Sequence, residues 1–201
     1  EISLGLVGSE MCIRDRFILE MIFYKDGDKN SSKKEVKNNS DSNLKTEAAK
    51  KTKVSIAAPI KGNVVALADV KDEAFSSESM GKGIAIEPEE GKVYAPADGV
   101  ISTFFPTGHA IGITTDLGAE ILIHVGMDTV EMNGDGFEPQ KSQGDKVKKG
   151  DLLLKFNIDK IKAAGHPVTT PVIITNSDDY ADVIPTNAPK VDSGDELIQI
   201  I

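Results

Sequence analysis

From Thr52 onward the chain is cut into short apolar or alternating runs, and Gly, Pro, Asp or Asn interrupts them about every ten residues. The runs fall at 54–58, 62–67, 83–86, 91–94, 99–104, 110–114, 119–125, 151–156, 172–175 and 196–200. Such pieces have the length and punctuation of strands, and their spacing is that of a sandwich or barrel. The spacing therefore predicts an all-β domain, an antiparallel β-sandwich or barrel with at most one or two short helices. The best helix candidate is 158–164, which Gly165 and Pro167 would end. Residues 71–80 read as a short turn or loop.

Composition confines that domain to 54–201. Residues 21–53 are rich in Lys, Asn, Ser and Asp and cannot bury enough apolar surface to offset their ordering entropy, so they read as a disordered tether. Residues 1–20 read as a non-native or disordered leader. Within it, Ser-Leu-Gly-Leu-Val-Gly-Ser-Glu-Met-Cys-Ile-Arg-Asp-Arg resembles translated adaptor sequence, which would make Met21 the native start. A net charge of -9 excludes a phosphate-backbone partner, because nucleic-acid affinity is carried by Lys and Arg. The single cysteine, Cys12, allows no internal disulfide. No apolar run approaches the roughly 20 residues that cross a bilayer. The segment 17–24 is at most a short amphipathic anchor, so the expectation is a cytoplasmic chain with no stable membrane insertion.

Two internal echoes accompany the runs. Ala58-Pro-Ile-Lys-Gly-Asn-Val resembles Ala95-Pro-Ala-Asp-Gly-Val-Ile, and the Gly-Asp turn near 150 resembles the one near 194. Either the domain is duplicated or two turns reuse the same chemistry.

The segment from His109 to His124 carries the functional argument. Two strand-like runs meet at Thr115-Asp-Leu-Gly118, and a hairpin with its tip at Asp116 and Leu117 pairs residues whose numbers sum to 233. Thr115 then faces Gly118, Ile111 faces Leu122, and His109 faces His124. Directly opposed residues point to one face with Cβ atoms about 4.5–5.5 Å apart, so two imidazoles would meet. A three- or five-residue loop would instead shift the pairing by one and send the rings to opposite faces. The third histidine, His166, lies between Gly165 and Pro167 and reads as a solvated or capping residue.

Paired imidazoles suit few chemistries. A neutral ring is nucleophilic near pH 7 and can attack phosphorus, while its neighbour donates to the phosphoryl oxygens. The same pair could hold a metal, with Asp128 as a third ligand or as an orienting carboxylate. It could also simply cap strand ends.

The stretch Gly118-Ala-Glu-Ile-Leu-Ile-His-Val-Gly-Met-Asp-Thr-Val130 resembles the active-site signature of the glucose-type enzyme IIA domain of the bacterial phosphoenolpyruvate-dependent sugar phosphotransferase system. Ala57-Ala-Pro-Ile-Lys-Gly62, Ala95-Pro-Ala-Asp-Gly99, Phe105-Pro-Thr-Gly-His109, Gly134-Asp-Gly-Phe137 and Thr170-Pro-Val-Ile-Ile-Thr-Asn176 extend the likeness over 54–201. The resemblance implies a phosphohistidine carrier, a phosphotransferase component that takes the group from HPr and passes it to a sugar-permease IIB domain. It implies no bound cofactor and no metal. His124 would be phosphorylated through Nε2, and His109 would contact the phosphoryl group. Thr107 would hydrogen-bond near His109, and Asp128 would be a carboxylate of the site. Phe75, Phe105 and Val130 fall where the family has an apolar docking rim, although core packing is the commoner fate of such residues. Glu73 on that rim, and Pro106 and Gly108 before His109, depart from the family pattern and bear on partner preference. Two alternatives stand beside this reading: a regulatory protein-binding module of the same fold, and a zinc-binding hydrolase. The hydrolase needs a His-x-His pair that the chain lacks. A lipoyl-carrier reading of Gly144-Asp-Lys-Val-Lys-Lys-Gly-Asp151 fails for want of a lysine at the hairpin tip.

Overall fold

The computed structural model of the chain describes residues 53–201. The leader 1–20, the tether 21–53 (save Lys53) and the segment 17–24 lie outside the described residues. Within them the chain forms β1 (Val54–Ala57), β2 (Gly62–Val65), β3 (Lys82–Pro88), β4 (Lys92–Tyr94), β5 (Gly99–Phe104), β6 (Ala110–Thr115) and β7 (Glu120–His124). Then follow β8 (Phe137–Pro139), β9 (Lys146–Val147), β10 (Leu152–Phe156), β11 (Thr170–Ile174), β12 (Val183–Pro185), β13 (Lys190–Val191) and β14 (Glu196–Ile200). An eight-stranded sheet runs β13-β2-β3-β11-β7-β6-β5-β9, and two three-stranded sheets run β1-β14-β12 and β4-β10-β8. All pairs are antiparallel. The all-β, antiparallel expectation is met.

The ten runs read from the sequence all contain strands. The four strands without a run, β8, β9, β12 and β13, have two or three residues each, too few to show a period, and all four lie at sheet edges. The helix candidate appears as Ile158–Ala163, begun by the Asn157 side chain, which accepts from Lys160 N–H at 3.0 Å. Residues 71–80 hold a second helix, Glu73–Ser76, where the sequence reading had a turn. The Asp72 carboxylate caps it by accepting from Ala74 N–H (2.9 Å) and Phe75 N–H (3.2 Å).

Period-two alternation divides the central strands between two apolar clusters. Ile111, Ile113, Ile121, Ile123, Val172 and Ile174 enter the main core. Ala110, Leu122 and Ile173 enter a smaller cluster with Leu67, Val70, Phe75, Ala85 and Met127. Because Leu122 belongs to the smaller cluster, His124, two residues on in the same strand, rises on that side of the sheet.

The sequence echoes are a structural duplication. Ala58 donates to Asp195 O (2.7 Å) and accepts from Gly194 N–H (2.9 Å); Ala95 donates to Asp151 O (2.8 Å) and accepts from Gly150 N–H (2.9 Å). The two Ala-Pro segments also bond each other, through Ala57 N–H to Pro96 O (3.0 Å) and Tyr94 N–H to Pro59 O (2.8 Å). Strand by strand, β1-β14-β12 corresponds to β4-β10-β8. The large sheet reads alike outward from its central β11–β7 pair: β3, β2, β13 on one side and β6, β5, β9 on the other. One half, β4 to β10, is inserted in the other between β3 and β11.

Candidate functional site

The hairpin that carries the histidines has a different register from the one its sequence suggests. Ala110 faces His124, Ile111 faces Ile123, Gly112 faces Leu122 and Thr114 faces Glu120, so the paired numbers sum to 234, not 233. The expected pairs His109 with His124, Ile111 with Leu122 and Thr115 with Gly118 are each corrected by one residue. The loop is three residues long, Asp116 to Gly118, closed by Thr115 N–H to Ala119 O (2.8 Å) and Gly118 N–H to Thr115 O (3.0 Å). Asp-Leu is a poor two-residue tip, whereas Gly118 at φ +89° takes the left-handed position that completes a three-residue loop.

The rings meet all the same. The imidazoles of His109 and His124 lie edge to face, with centroids 5.0 Å apart and planes at 75°. The shift does not separate them because His109 stands one residue before β6, where the alternating pleat has not begun. A tight turn delivers it: Gly108 N–H donates to Phe105 O (2.8 Å), Phe105 N–H donates to Ala110 O (3.1 Å), and Gly108 has φ +75°. Val125 N–H then anchors His109 O at 2.7 Å. Opposite His124 stands Ala110, whose small side chain leaves room for the ring. The capped helix Glu73–Ser76 sets the Phe75 ring beside that of His124, at 5.3 Å and 58°.

A hydrogen bond settles how the His124 ring holds its proton. His124 Nδ1 is 2.7 Å from the Gly126 carbonyl oxygen. A carbonyl only accepts, so Nδ1 carries the proton and Nε2 of the neutral ring carries the nucleophilic lone pair. His109 Nδ1 is bonded to the Thr107 hydroxyl. Burial, and secondarily the charge of His124, push the His109 pKa down to about 3, so this ring is neutral near pH 7. A Thr107 hydroxyl that donates to Nδ1 would leave the ring proton on Nε2, as a donor for an anionic oxygen. Gly126 has φ +74°, and a Cβ there would come 2.6 Å from Thr129 Cγ2 and 2.8 Å from Pro167 O. Only glycine fits, and its carbonyl is thereby brought under His124.

The site thus pairs an imidazole whose Nδ1 is held by a carbonyl with a second, buried imidazole. The sequence model for "phosphoenolpyruvate-dependent sugar phosphotransferase system, EIIA 1" matches residues 54–180. The chain belongs to this EIIA family. A β-glucoside-specific EIIBCA component of Halalkalibacterium halodurans is 48% identical over 167 residues, 81% of this chain and 26% of that protein. Its counterpart from Bacillus subtilis is 57% identical over 126 residues, 63% of this chain and 21% of that protein. The chain thus spans about a quarter of the length of these relatives. The glucose-specific EIIA component of H. halodurans is 45% identical over 70% of this chain and 82% of its own length. Among solved structures, glucose permease IIA from Mycoplasma capricolum superposes with a TM-score of 0.67 at 34% identity, over 74% of this chain and 96% of that one. The EIIA domain is a phosphotransferase component, a carrier of phosphoryl groups in the sugar phosphotransferase system.

The remaining candidates take different places in the EIIA site. Thr107 touches His109 directly. Phe105 is half-buried with its ring 5.4 Å from that of His109. Phe75 is buried in the smaller cluster, so it packs and borders His124 at once. Val130 is half-buried in the 3-10 turn Thr129–Met132. Asp128 is exposed, at φ 55°. His166 follows the helix Ile158–Ala163, and its N–H caps Ile161 O at 3.1 Å. Family membership does not favour the zinc-hydrolase alternative. Among the described residues, no three His, Cys, Asp or Glu side chains are grouped to hold a metal ion. The sequence reading missed the Gly126 carbonyl as the partner of His124. A glycine two residues past the histidine was its only signal.

Proposed function

We propose that His124 Nε2 is the phosphoacceptor, that HPr supplies the group, and that a sugar-permease IIB domain receives it. The observation that carries this reading is the Gly126 bond to Nδ1, which leaves Nε2 as the attacking atom beside the His109 ring. The Nε2 lone pair forms the new N–P bond as the N–P bond of the donor phosphohistidine breaks. The donor imidazole keeps that electron pair, and His124 keeps its Nδ1 proton. Charge accumulates on the phosphoryl oxygens in a loose transition state, where a His109 N–H in a dry setting stabilises it. The relatives named EIIBCA support a IIB partner. Phe105, Val130 and the edge of Phe75 supply the apolar border a docking partner needs, and Asp128 lies at its rim. No helix among the described residues is long and apolar enough to cross a membrane. On this reading the domain works in the cytoplasm.

Incubation with phosphoenolpyruvate, the general phosphotransferase enzyme and HPr should add about 80 Da, labile to acid and stable to base, at His124. Label on a serine, or no label, would remove the assignment.

A further inference from the structure

The loop that follows His124 is held from three sides, and one of the holds is a side chain to which no role has been given. Val125 N–H donates to His109 O (2.7 Å), Met127 N–H donates to Pro167 O (3.0 Å), and the Thr129 hydroxyl donates to Val125 O at 2.6 Å. Thr129 is fully buried, and its methyl group fills the space where Gly126 has no Cβ. Both peptide groups flanking Gly126 are therefore pinned: the one before it by the Thr129 hydroxyl on Val125 O, the one after it by Pro167. The second of these peptides carries the carbonyl that His124 Nδ1 bonds, and the first fixes the Gly126 torsion that aims it. The left-handed backbone at Gly126 (φ +74°) and Asp128 (φ 55°) would otherwise leave this loop other ways to turn.

We propose that Thr129 is a positioning residue for phosphoryl transfer: its buried hydroxyl fixes the Val125–Gly126 peptide so that the Gly126 carbonyl holds the proton of His124 on Nδ1 and Nε2 remains the nucleophile. The inference rests on His124 being the phosphoacceptor. A ring nitrogen keeps or loses its proton according to the bond its other nitrogen makes. Groups that orient a metal-bound imidazole are typically worth about tenfold to a hundredfold when removed, and a loss at the lower end of that range is expected for a ring held for phosphoryl transfer. Thr129 touches neither donor nor acceptor and acts only through the backbone that grips the imidazole.

Thr129→Val keeps the branched shape and removes the hydroxyl, whereas Thr129→Ser keeps the hydroxyl and removes the methyl group. Ring-nitrogen NMR of 15N-histidine-labelled protein reads the His124 tautomer, and quenched-flow labelling from phospho-HPr reads the rate. Thr129→Val should show a mixed tautomer and a rate lower by about tenfold. Thr129→Ser should keep the wild-type tautomer and rate. Wild-type signals and rate in Thr129→Val would overturn the proposal, and so would a Ser variant as impaired as the Val variant. If Thr129→Val does not fold, the Ser variant still decides, because loss of its Nδ1-protonated signal refutes the hydroxyl's role. A wild-type protein that takes no label on His124 would instead defeat the phosphoacceptor assignment, and the tautomer comparison would still report on Thr129.

Discussion

His109 is a base that the fold keeps from acting as one. It is 2% exposed, and burial first, then the charge of His124, lower its pKa to about 3 against about 6.5 in an unfolded chain. As pH falls the unfolded chain takes up the proton first, so the His109 contribution to stability is complete above about pH 6.5 and is lost progressively toward about pH 3. The slope from this one group is at most about 1.4 kcal/mol per pH unit. His109→Gln cannot titrate, so urea midpoints measured between pH 7 and 5 should fall less steeply for the variant than for the wild type. An unchanged slope would place the acid sensitivity elsewhere. The same variant should still accept a phosphoryl group on His124 but pass it on more slowly, because a donor to the phosphoryl oxygens has been altered. Onward transfer at the wild-type rate would make His109 a bystander. At this scale the sequence was informative about identities: both histidines, and Thr107 beside one of them, are brought together by the fold. It was silent on the Gly126 carbonyl and the Thr129 hydroxyl, because every residue has a carbonyl and only folding shows which one a ring will find.

Among the elements, the hairpin β6–β7 shows how a right contact can follow from a wrong register. The pairing depended on the loop, and Gly118 chose a three-residue loop over the symmetric one. The contact survived because His109 stands just before β6, at the turn through Gly108. Strands of four or more residues with apolar alternation were legible. The four edge strands of two or three residues that no run covers, β8, β9, β12 and β13, were not, since Lys146–Val147 or Lys190–Val191 acquires its conformation from a neighbour and not from its own pattern. The helix Ile158–Ala163 has a clearer local cause in Asn157, and it leads to the turn whose Pro167 carbonyl braces the active loop. Asn157→Ala should cost about 1 kcal/mol in urea unfolding through loss of the cap to Lys160 N–H. A variant as stable as the wild type would show that packing of Ile161 alone holds the helix.

For the whole molecule, the duplication makes a quantitative demand. Ala58 and Ala95 are equally buried, at 1% exposure, and each, lying between a small-sheet strand and a large-sheet strand, makes the same pair of backbone bonds to a Gly-Asp turn. Leucine at either place overfills the crossing, at about 1–3 kcal/mol. Ala58→Leu and Ala95→Leu should therefore shift the unfolding midpoint by similar amounts. A large loss from one and none from the other would show that the two halves share a design but not its energetics. The Ala-Pro echo was visible as three identical positions in seven, Ala, Pro and Gly, but the nesting of one half inside the other was not, because the correspondence resumes only after an interruption the length of the inserted half. That nesting also brings the ends of the described domain together, since Val54 pairs with Ile200. Tension applied between them would peel β1 from β14 one rung at a time, like a zip drawn from its open end. The domain's seam would give way under a weak tug while the central sheet bore none of the load.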